Sequence, residues 1–380
     1  MEVIFIIGAA QAFFLPLLIF NKAERSRADY VLAAWFVLIG LALLGHYLEV
    51  TGRAADFPIF LGFWTCFPML MGPAAYVYAL AVTRGDEVLK PTLLLHALPY
   101  LVFTVIVFLR LFAYSSGSVE ADRLAIEDPS TPVFIALGLF RIFLGPVYLV
   151  LCLLILKRHA RRIADEFSYT RDIDLGWLKK VILAMLTIWI TVVVVNIMGN
   201  FNDWISIEQG DNLIYLTVTA VVFFGGFYGI KQQIIFASPA GPPAAVSVTD
   251  NDGKETRYRK SSLNGEQSRA ILGKLLEFMD EEKPYLDGKV SLSQVADRLG
   301  VSSNHLSQVI NENLEKNFYD FINGYRVDMV KQRLAESTGS RPNILAIAYD
   351  AGFSSKSSFN EVFKKNTKLT PSQYWKKLGK

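Results

Sequence analysis

The 380-residue sequence has little of what most catalytic or disulfide-stapled proteins need. It holds two cysteines, Cys66 and Cys152, each inside an apolar run. No disulfide framework and no metal-ligating spacing can be built from them, so both read as small core residues. There are four histidines, two of them in apolar runs. A phosphate-binding G-x-x-x-x-G-K-[ST] loop, an H-E-x-x-H pair, a nucleophile elbow and a kinase signature are all missing. No enzymatic activity, metal or cofactor is expected. The first apolar run, 3–20, lacks a basic segment ahead of it and is followed at once by another, so it reads as a retained helix rather than a cleaved leader.

What the sequence has is apolar surface, placed unevenly. Hydrophobic residues make up 52% and aromatics 13% of the chain. Residues 1–253 hold 17 Lys and Arg, whereas the shorter stretch 254–380 holds 21. Apolar runs fall at about 3–20, 31–48, 58–82, 92–113, 133–156, 181–200 and 212–230. Each is near the ~20 residues that cross a ~30 Å hydrocarbon core. The connectors 21–30, 83–91 and 157–180 carry twelve basic residues, against three (Arg53, Arg110, Arg123) in the alternate connectors, which are acidic. Basic connectors stay in the cytoplasm, which puts the N-terminus outside and the C-terminal domain inside, in a bacterial inner membrane.

Residues 237–262 are rich in Pro, Gly, Ala and small polar residues without apolar periodicity, and read as a flexible linker. Its basic end (Lys254, Arg257, Arg259, Lys260) suits either anionic headgroups or ordinary solvation. Beyond it the periodicity becomes that of a soluble helical domain. One helix is expected at about 265–282, stopped before Pro284. A short helix over 291–299 ends at Gly300, and Ser302 or Ser303 caps the next one, 303–313, with Leu306, Val309 and Ile310 inward. This helix, glycine turn and polar-faced helix form a helix-turn-helix pattern. A second copy has Ile344–Ala351, a turn at Gly352-Phe353, and a helix from Ser355 to about Asn366 with Phe359 and Phe363 inward. A helix at about 318–336 joins the two. At 1.5 Å per residue it spans about 28 Å, close to the ~34 Å between successive major-groove faces. The fold class expected is all-α: a seven-helix transmembrane bundle over 1–236, a linker over 237–262 and a double helix-turn-helix domain over 263–380.

The residues Ile347, Ala348, Gly352, Phe353, Ser354, Ser357, Phe359, Phe363, Lys364, Lys365, Leu369, Thr370, Pro371 and Tyr374, in this order and spacing, resemble the signature of the AraC/XylS family of transcription regulators. Leu292 through Arg326 resembles that family's first helix-turn-helix. The resemblance covers 265–378, about 30% of the chain. It implies sequence-specific promoter binding by two helix-turn-helix units on double-stranded DNA. Glu315 and Lys368 stand where the family often has glycine, and Gln308, Asn311 and Glu312 where it often has basic residues. Residues 254–340 carry 13 basic and 13 acidic residues, whereas 341–380 carry 8 and 2. Phosphate neutralisation supplies most sequence-independent affinity, so the second unit is expected to be the anchor, with Lys364 and Lys365 on phosphate.

Candidate DNA contacts are the outward residues Ser303, Asn304, His305, Ser307 and Gln308 in the first unit, and Ser354, Ser355, Lys356, Ser357, Ser358 and Asn360 in the second. Ser303 and Ser354 are the two expected to serve instead as helix caps. Within the spans, Arg141 is the one basic residue well inside a run; at a helix centre it costs about 2.5–3.5 kcal/mol and needs a partner. Glu49 or Asp203 would provide one, with His46, His96, Gln11, Asn196, Asn200 and Asn202 nearby. These groups read either as an outward-facing pocket for a small anion (Arg141, Glu49, His46, Asp203) or as structural pairs between helices. Gly225 and Gly229 form a G-x-x-x-G that suits packing in the bundle or a homodimer. The reading is a one-component regulator that couples an unidentified small-molecule or membrane-borne signal to promoter binding. The alternative is a transporter or channel with a DNA-binding tail.

Overall fold

Capping chemistry sets the start of α2 and of the helices in the C-terminal domain. Ser26 accepts a hydrogen bond from Asp29 N–H while the Asp29 carboxylate accepts from Ser26 N–H, which fixes where α2 begins. Lys22 Nζ reaches the same carboxylate at 3.1 Å. The computed structural model describes residues 2–22, 25–57, 63, 66–85, 90–114, 132–170, 173, 175–202, 206–231, 263–337 and 342–378. Among the described residues there are fourteen α-helices and no strand beyond one isolated bridge. The expected linker, 237–262, lies outside the described residues.

Among the described residues of the apolar part there are seven α-helices: α1 Glu2–Phe20, α2 Arg27–Val50, α3 Pro68–Arg84, α4 Leu98–Tyr114, α5 Pro132–Glu166, α6 Gly176–Asn202 and α7 Ile207–Lys231. Five stretches among the described residues are long and apolar enough to cross a membrane: Glu2–Phe20, Arg27–Val50, Pro91–Leu109, Ile142–Glu166 and Gly176–Val195. The runs expected at 58–82 and 212–230 correspond to α3, with 17 residues, and α7, with 25. The side chains around Gly225 and Gly229 lie outside the described residues.

The chain divides into two compact units, Met1–Lys157 with Leu175–Thr249, and Arg158–Asp174 with Asp250–Lys380. In the first, one core joins α2, α3, α5 and α6 through Leu32, Trp35, Tyr78, Leu149, Ile182 and Trp189. A second joins α1, α2 and α7 through Ala12, Leu15, Leu43 and Val222. Cys66 and Cys152 are buried free thiols, as their apolar settings predict.

The second unit carries α8 Gly265–Glu281, α9 Leu292–Leu299, α10 Ser303–Leu314, α11 Phe318–Glu336, α12 Ile344–Asp350, α13 Lys356–Thr367 and α14 Pro371–Lys377. Their boundaries match the periodicity closely. Ser291 forms a capping box with Gln294, and Gly300, at φ 66°, ends α9 in the left-handed conformation that glycine adopts without penalty. The cap of α10 is Ser302, one of the two serines expected, and that of α13 is Ser355, one residue from the expected Ser354.

α11 serves two cores. Phe318, Phe321 and Ile322 pack with Leu275, Val295, Leu306 and Ile310, whereas Val327, Val330 and Leu334 pack with Ala348, Phe353, Phe359 and Phe363. At 100° per residue the two sets lie roughly 150° apart around the helix. The units therefore sit on nearly opposite faces of one rigid connector.

Glu315 and Lys368 follow α10 and α13 at φ 54° and 61°. These are the two positions where the resemblance called for glycine, and the backbone there is left-handed. A side chain in that conformation costs about 1–2 kcal/mol, partly offset by the chain entropy that a glycine loses. Glu315→Gly and Lys368→Gly are each expected to stabilise the domain by about 0.5–1 kcal/mol. Slower amide exchange in α10 and α13 would show it; faster exchange would mean that the side chains contribute contacts exceeding the strain.

Candidate nucleic-acid interface

In the first unit, α10 turns Leu306, Val309 and Ile310 fully inward. Asn304 and Asn311 are exposed, and Ser303, His305 and Ser307 are half-buried. Gln308 does not face outward as the periodicity suggested. It is 8% exposed, and its side-chain amide donates to Glu312 at 3.0 Å. Asn311 is likewise turned onto its own helix, donating to the Ser307 carbonyl at 2.9 Å. Much of the polar face of α10 is thus bonded within the helix, and it carries no Lys or Arg.

The second unit presents a different face. Ser354, Lys356, Ser357, Asn360, Lys364 and Lys365 are all exposed around the start and outer side of α13. Ser355 is buried, and its hydroxyl caps the helix by accepting from Ser358 N–H at 3.2 Å. Ser358 is half-buried beside the Tyr319 hydroxyl of α11. Burial raises that phenol's pKa, against the opposing pull of the Ser358 and Thr170 side chains next to it. Lys365 Nζ lies 2.6 Å from Asp320 of α11, with both side chains substantially exposed. Such a pair is worth at most about 1 kcal/mol, so Lys365 can exchange its carboxylate for a phosphate. Lys364 is exposed on the same turn.

Where the units meet stands a residue that periodicity alone does not single out. Arg326 of α11 is 2% exposed. Its Nε donates to the Tyr285 carbonyl and an Nη to the Asp287 carbonyl, each at 2.7 Å, and its Nη1 donates to Asn323 Oδ1 at 3.1 Å. The guanidinium lies over the Phe353 ring, 5.9 Å from its centroid. Desolvation lowers its pKa to about 10, so the group remains charged at neutral pH. Gly352, at φ 93°, packs against the same place: a Cβ there would overlap the Tyr285 carbonyl oxygen and come within 3.0 Å of Arg326 Nε. The signal available in the sequence was a charged residue set beside Phe321, Ile322, Val327 and Val330, on a helix whose neighbours are all core.

In the apolar unit the structure brings together part of the predicted polar set. His46 is buried, stacked on Tyr215 with centroids 4.0 Å apart and edge-on to Phe5. Its Nε2 pairs with Asn212 Oδ1 at 3.1 Å, and its Nδ1 lies 3.9 Å from Glu49. Asn212 was not anticipated. His96 instead bonds the Tyr148 hydroxyl at 2.7 Å, beside Tyr76. The side chains of Arg141, Asn196, Asn200 and Asn202, and all of Asp203, lie outside the described residues.

Residues 295–377 match a family model described as a helix-turn-helix domain. Uncharacterised HTH-type transcriptional regulators of Staphylococcus aureus strains COL and MSSA476 are each 39% identical over 117 residues, which is 31% of this chain and 15% of theirs. The chain therefore matches only a small part of those relatives' length. A solved structure of a protein of unknown function from Listeria innocua is 26% identical, covering 28% of this chain and 95% of its own, with a TM-score of 0.25. The C-terminal region of this chain carries a helix-turn-helix domain similar to those of HTH-type transcriptional regulators.

Proposed function

We propose that this chain is a membrane-embedded, sequence-specific transcription regulator resembling the AraC/XylS family, a one-component sensor whose apolar helices hold the DNA-binding domain at the cytoplasmic face of a bacterial inner membrane. The observation that carries the reading is the pairing of two helix-turn-helix units on opposite faces of α11 with a separate unit of long apolar helices. The apolar helices expose large hydrophobic side chains: Val3 is 66%, Leu109 65%, Phe143 63% and Ile190 61% accessible. Water disfavours such a surface, and hydrocarbon accepts it. Orientation has support beyond the charge bias. Residues 158–174, the end of α5 and part of the segment after it, fall in the same compact unit as the C-terminal domain, which supports the reading that the two lie on one side of the bilayer. If α6 crosses away from that side, α7 must cross back.

On DNA, the second unit is the anchor and reads the groove with Lys356, Ser357 and Asn360, while Asn304 and His305 lead in the first unit. The full chain in lipid nanodiscs is expected to protect, in the region upstream of its own gene, a site of about two helical turns, with affinity falling steeply as salt rises. Lys364→Gln is expected to lower the salt slope by about one ion and weaken all sequences alike. Lys365→Gln is expected to do less, because Asp320 already neutralises that lysine. No protection above that given to a scrambled duplex would defeat the proposal, and equal losses from the two substitutions would defeat the assignment of Lys364.

A further inference from the structure

Residues 167–175 connect α5 and α6, and a polar connector would ordinarily be solvated. This one is built into the DNA-binding unit. Phe167, the first residue after α5, forms an antiparallel bridge with Ser291, the cap of α9. Ser168 is 1% exposed. Its N–H and its hydroxyl both donate to the Val290 carbonyl, at 3.3 and 2.7 Å. Its carbonyl accepts from Arg326 Nη1 at 3.1 Å and Asn323 Nδ2 at 3.2 Å, and its hydroxyl oxygen accepts from Arg326 Nη2 at 3.2 Å. Thr170 stands beside the Tyr319 hydroxyl, which also faces Ser358 on α13. Every polar group of Ser168 is thus matched, and matched to groups at the junction of the two helix-turn-helix units.

The seat explains what the contact does. Arg326 holds the 285–287 turn, which precedes the first unit, against α11. That turn packs directly on Gly352, the turn of the second unit. Without Ser168, Nη1 of a buried guanidinium keeps only Asn323. A buried charge short of partners loosens what it holds.

We infer that Phe167–Thr170 is an intramolecular docking segment that clamps the junction of the two units and so couples α5, from which it directly continues, to DNA binding, with Ser168 as its positioning residue. The inference rests on the reading that the domain binds DNA. Docked, the segment fixes the relative placement of α10 and α13. Released, it leaves that placement less defined and affinity for a two-unit site falls.

Two experiments on the full chain test it. An antiparallel bridge sets Cα atoms about 4.5–5.5 Å apart, within the ~4.4–6.8 Å of disulfides. Phe167→Cys/Ser291→Cys is therefore expected to form an intramolecular disulfide nearly completely under mild oxidation in membranes, with the native thiols of Cys66 and Cys152 buried elsewhere. This arm needs no DNA, so its failure sinks the docking and leaves the regulator reading untouched. In nanodiscs, Ser168→Lys is expected to lower affinity for the upstream duplex about tenfold or more, and Ser168→Gly, which keeps the backbone bonds, about two- to threefold. Amide exchange across α13 reports whether the domain stays folded. An affinity unchanged by Ser168→Lys would overturn the coupling; a raised affinity would overturn its sense, making the contact inhibitory.

Discussion

Gly352→Ala is expected to open the second helix-turn-helix unit, raising amide exchange in α12 and α13 roughly hundredfold and abolishing stable binding to a two-unit DNA site. The substitution adds one methyl group, and two effects combine. At φ 93° the backbone disfavours any side chain, by about 1–2 kcal/mol. The new Cβ would also overlap the Tyr285 carbonyl oxygen and lie 3.0 Å from the Leu286 carbonyl carbon. These are backbone atoms that cannot rotate away, and overpacking of this kind costs about 1–3 kcal/mol. Moving Tyr285 would, in addition, stretch its 2.7 Å bond from Arg326. A total near 3 kcal/mol corresponds to roughly hundredfold in the opening equilibrium. Gly300→Ala separates the contributions. Gly300 is left-handed too, at φ 66°, but nothing lies within 4 Å of the position a Cβ would take. It should lose only the conformational part, about 1 kcal/mol, or fivefold in exchange. Hydrogen exchange by mass spectrometry on both full-length variants measures the contrast, and equal effects would remove the steric argument.

Arg326→Leu is expected to destabilise the same domain by about 3–5 kcal/mol, a large share of the ~5–15 kcal/mol that holds a domain together. Leucine relieves the desolvation that depresses the guanidinium pKa to about 10, and this opposes the loss. The loss wins because the buried Tyr285 carbonyl, bonded to the guanidinium at 2.7 Å, would be left unpaired at about 1–3 kcal/mol, while the Asp287 carbonyl, also bonded at 2.7 Å, would keep only Val290 N–H at 3.3 Å. Arg326→Lys should rescue little. The fork sends Nε, Nη1 and Nη2 to separate oxygens, and one ammonium cannot reach them all. Melting followed by exchange in α11 would test this; a lysine variant as stable as the parent would mean that charge, rather than geometry, is what the junction needs.

The helices of the C-terminal domain were legible almost to the residue. The span predicted at 318–336 is α11 as observed, because its ends are set by local groups, Asn317 accepting from Asp320 N–H and an extended Ser337. Glu315 and Lys368 were legible as departures, and each has the positive φ that a glycine would take. The cap of α10 was narrowed to Ser302 or Ser303, of which Ser302 serves, and that of α13 was misplaced by one residue, since neighbouring serines offer the same hydroxyl chemistry and only the backbone angle distinguishes them. Gln308 was misread for another reason. A helical wheel places it opposite Leu306 and Ile310, but periodicity does not say that its amide folds onto Glu312. In the apolar unit His46 and Glu49 do approach each other, while Asn212, the closer partner of His46, is 166 positions away and carried no signal.

Information that lies within one or two turns of helix was therefore determined by the sequence itself: the apolar runs, the caps, the two glycine turns and the repeated helix-turn-helix pattern. Each of these depends on a residue and its neighbours three or four places along, where propensity and hydrogen bonding act directly. Tertiary structure alone decided that α11 divides its faces between two cores, that Arg326 becomes the charged centre of their junction, and that Ser168 sits upon it from 158 positions away. Such contacts depend on the path of the whole chain and on which buried polar groups must find partners once water is excluded. No local period records that requirement.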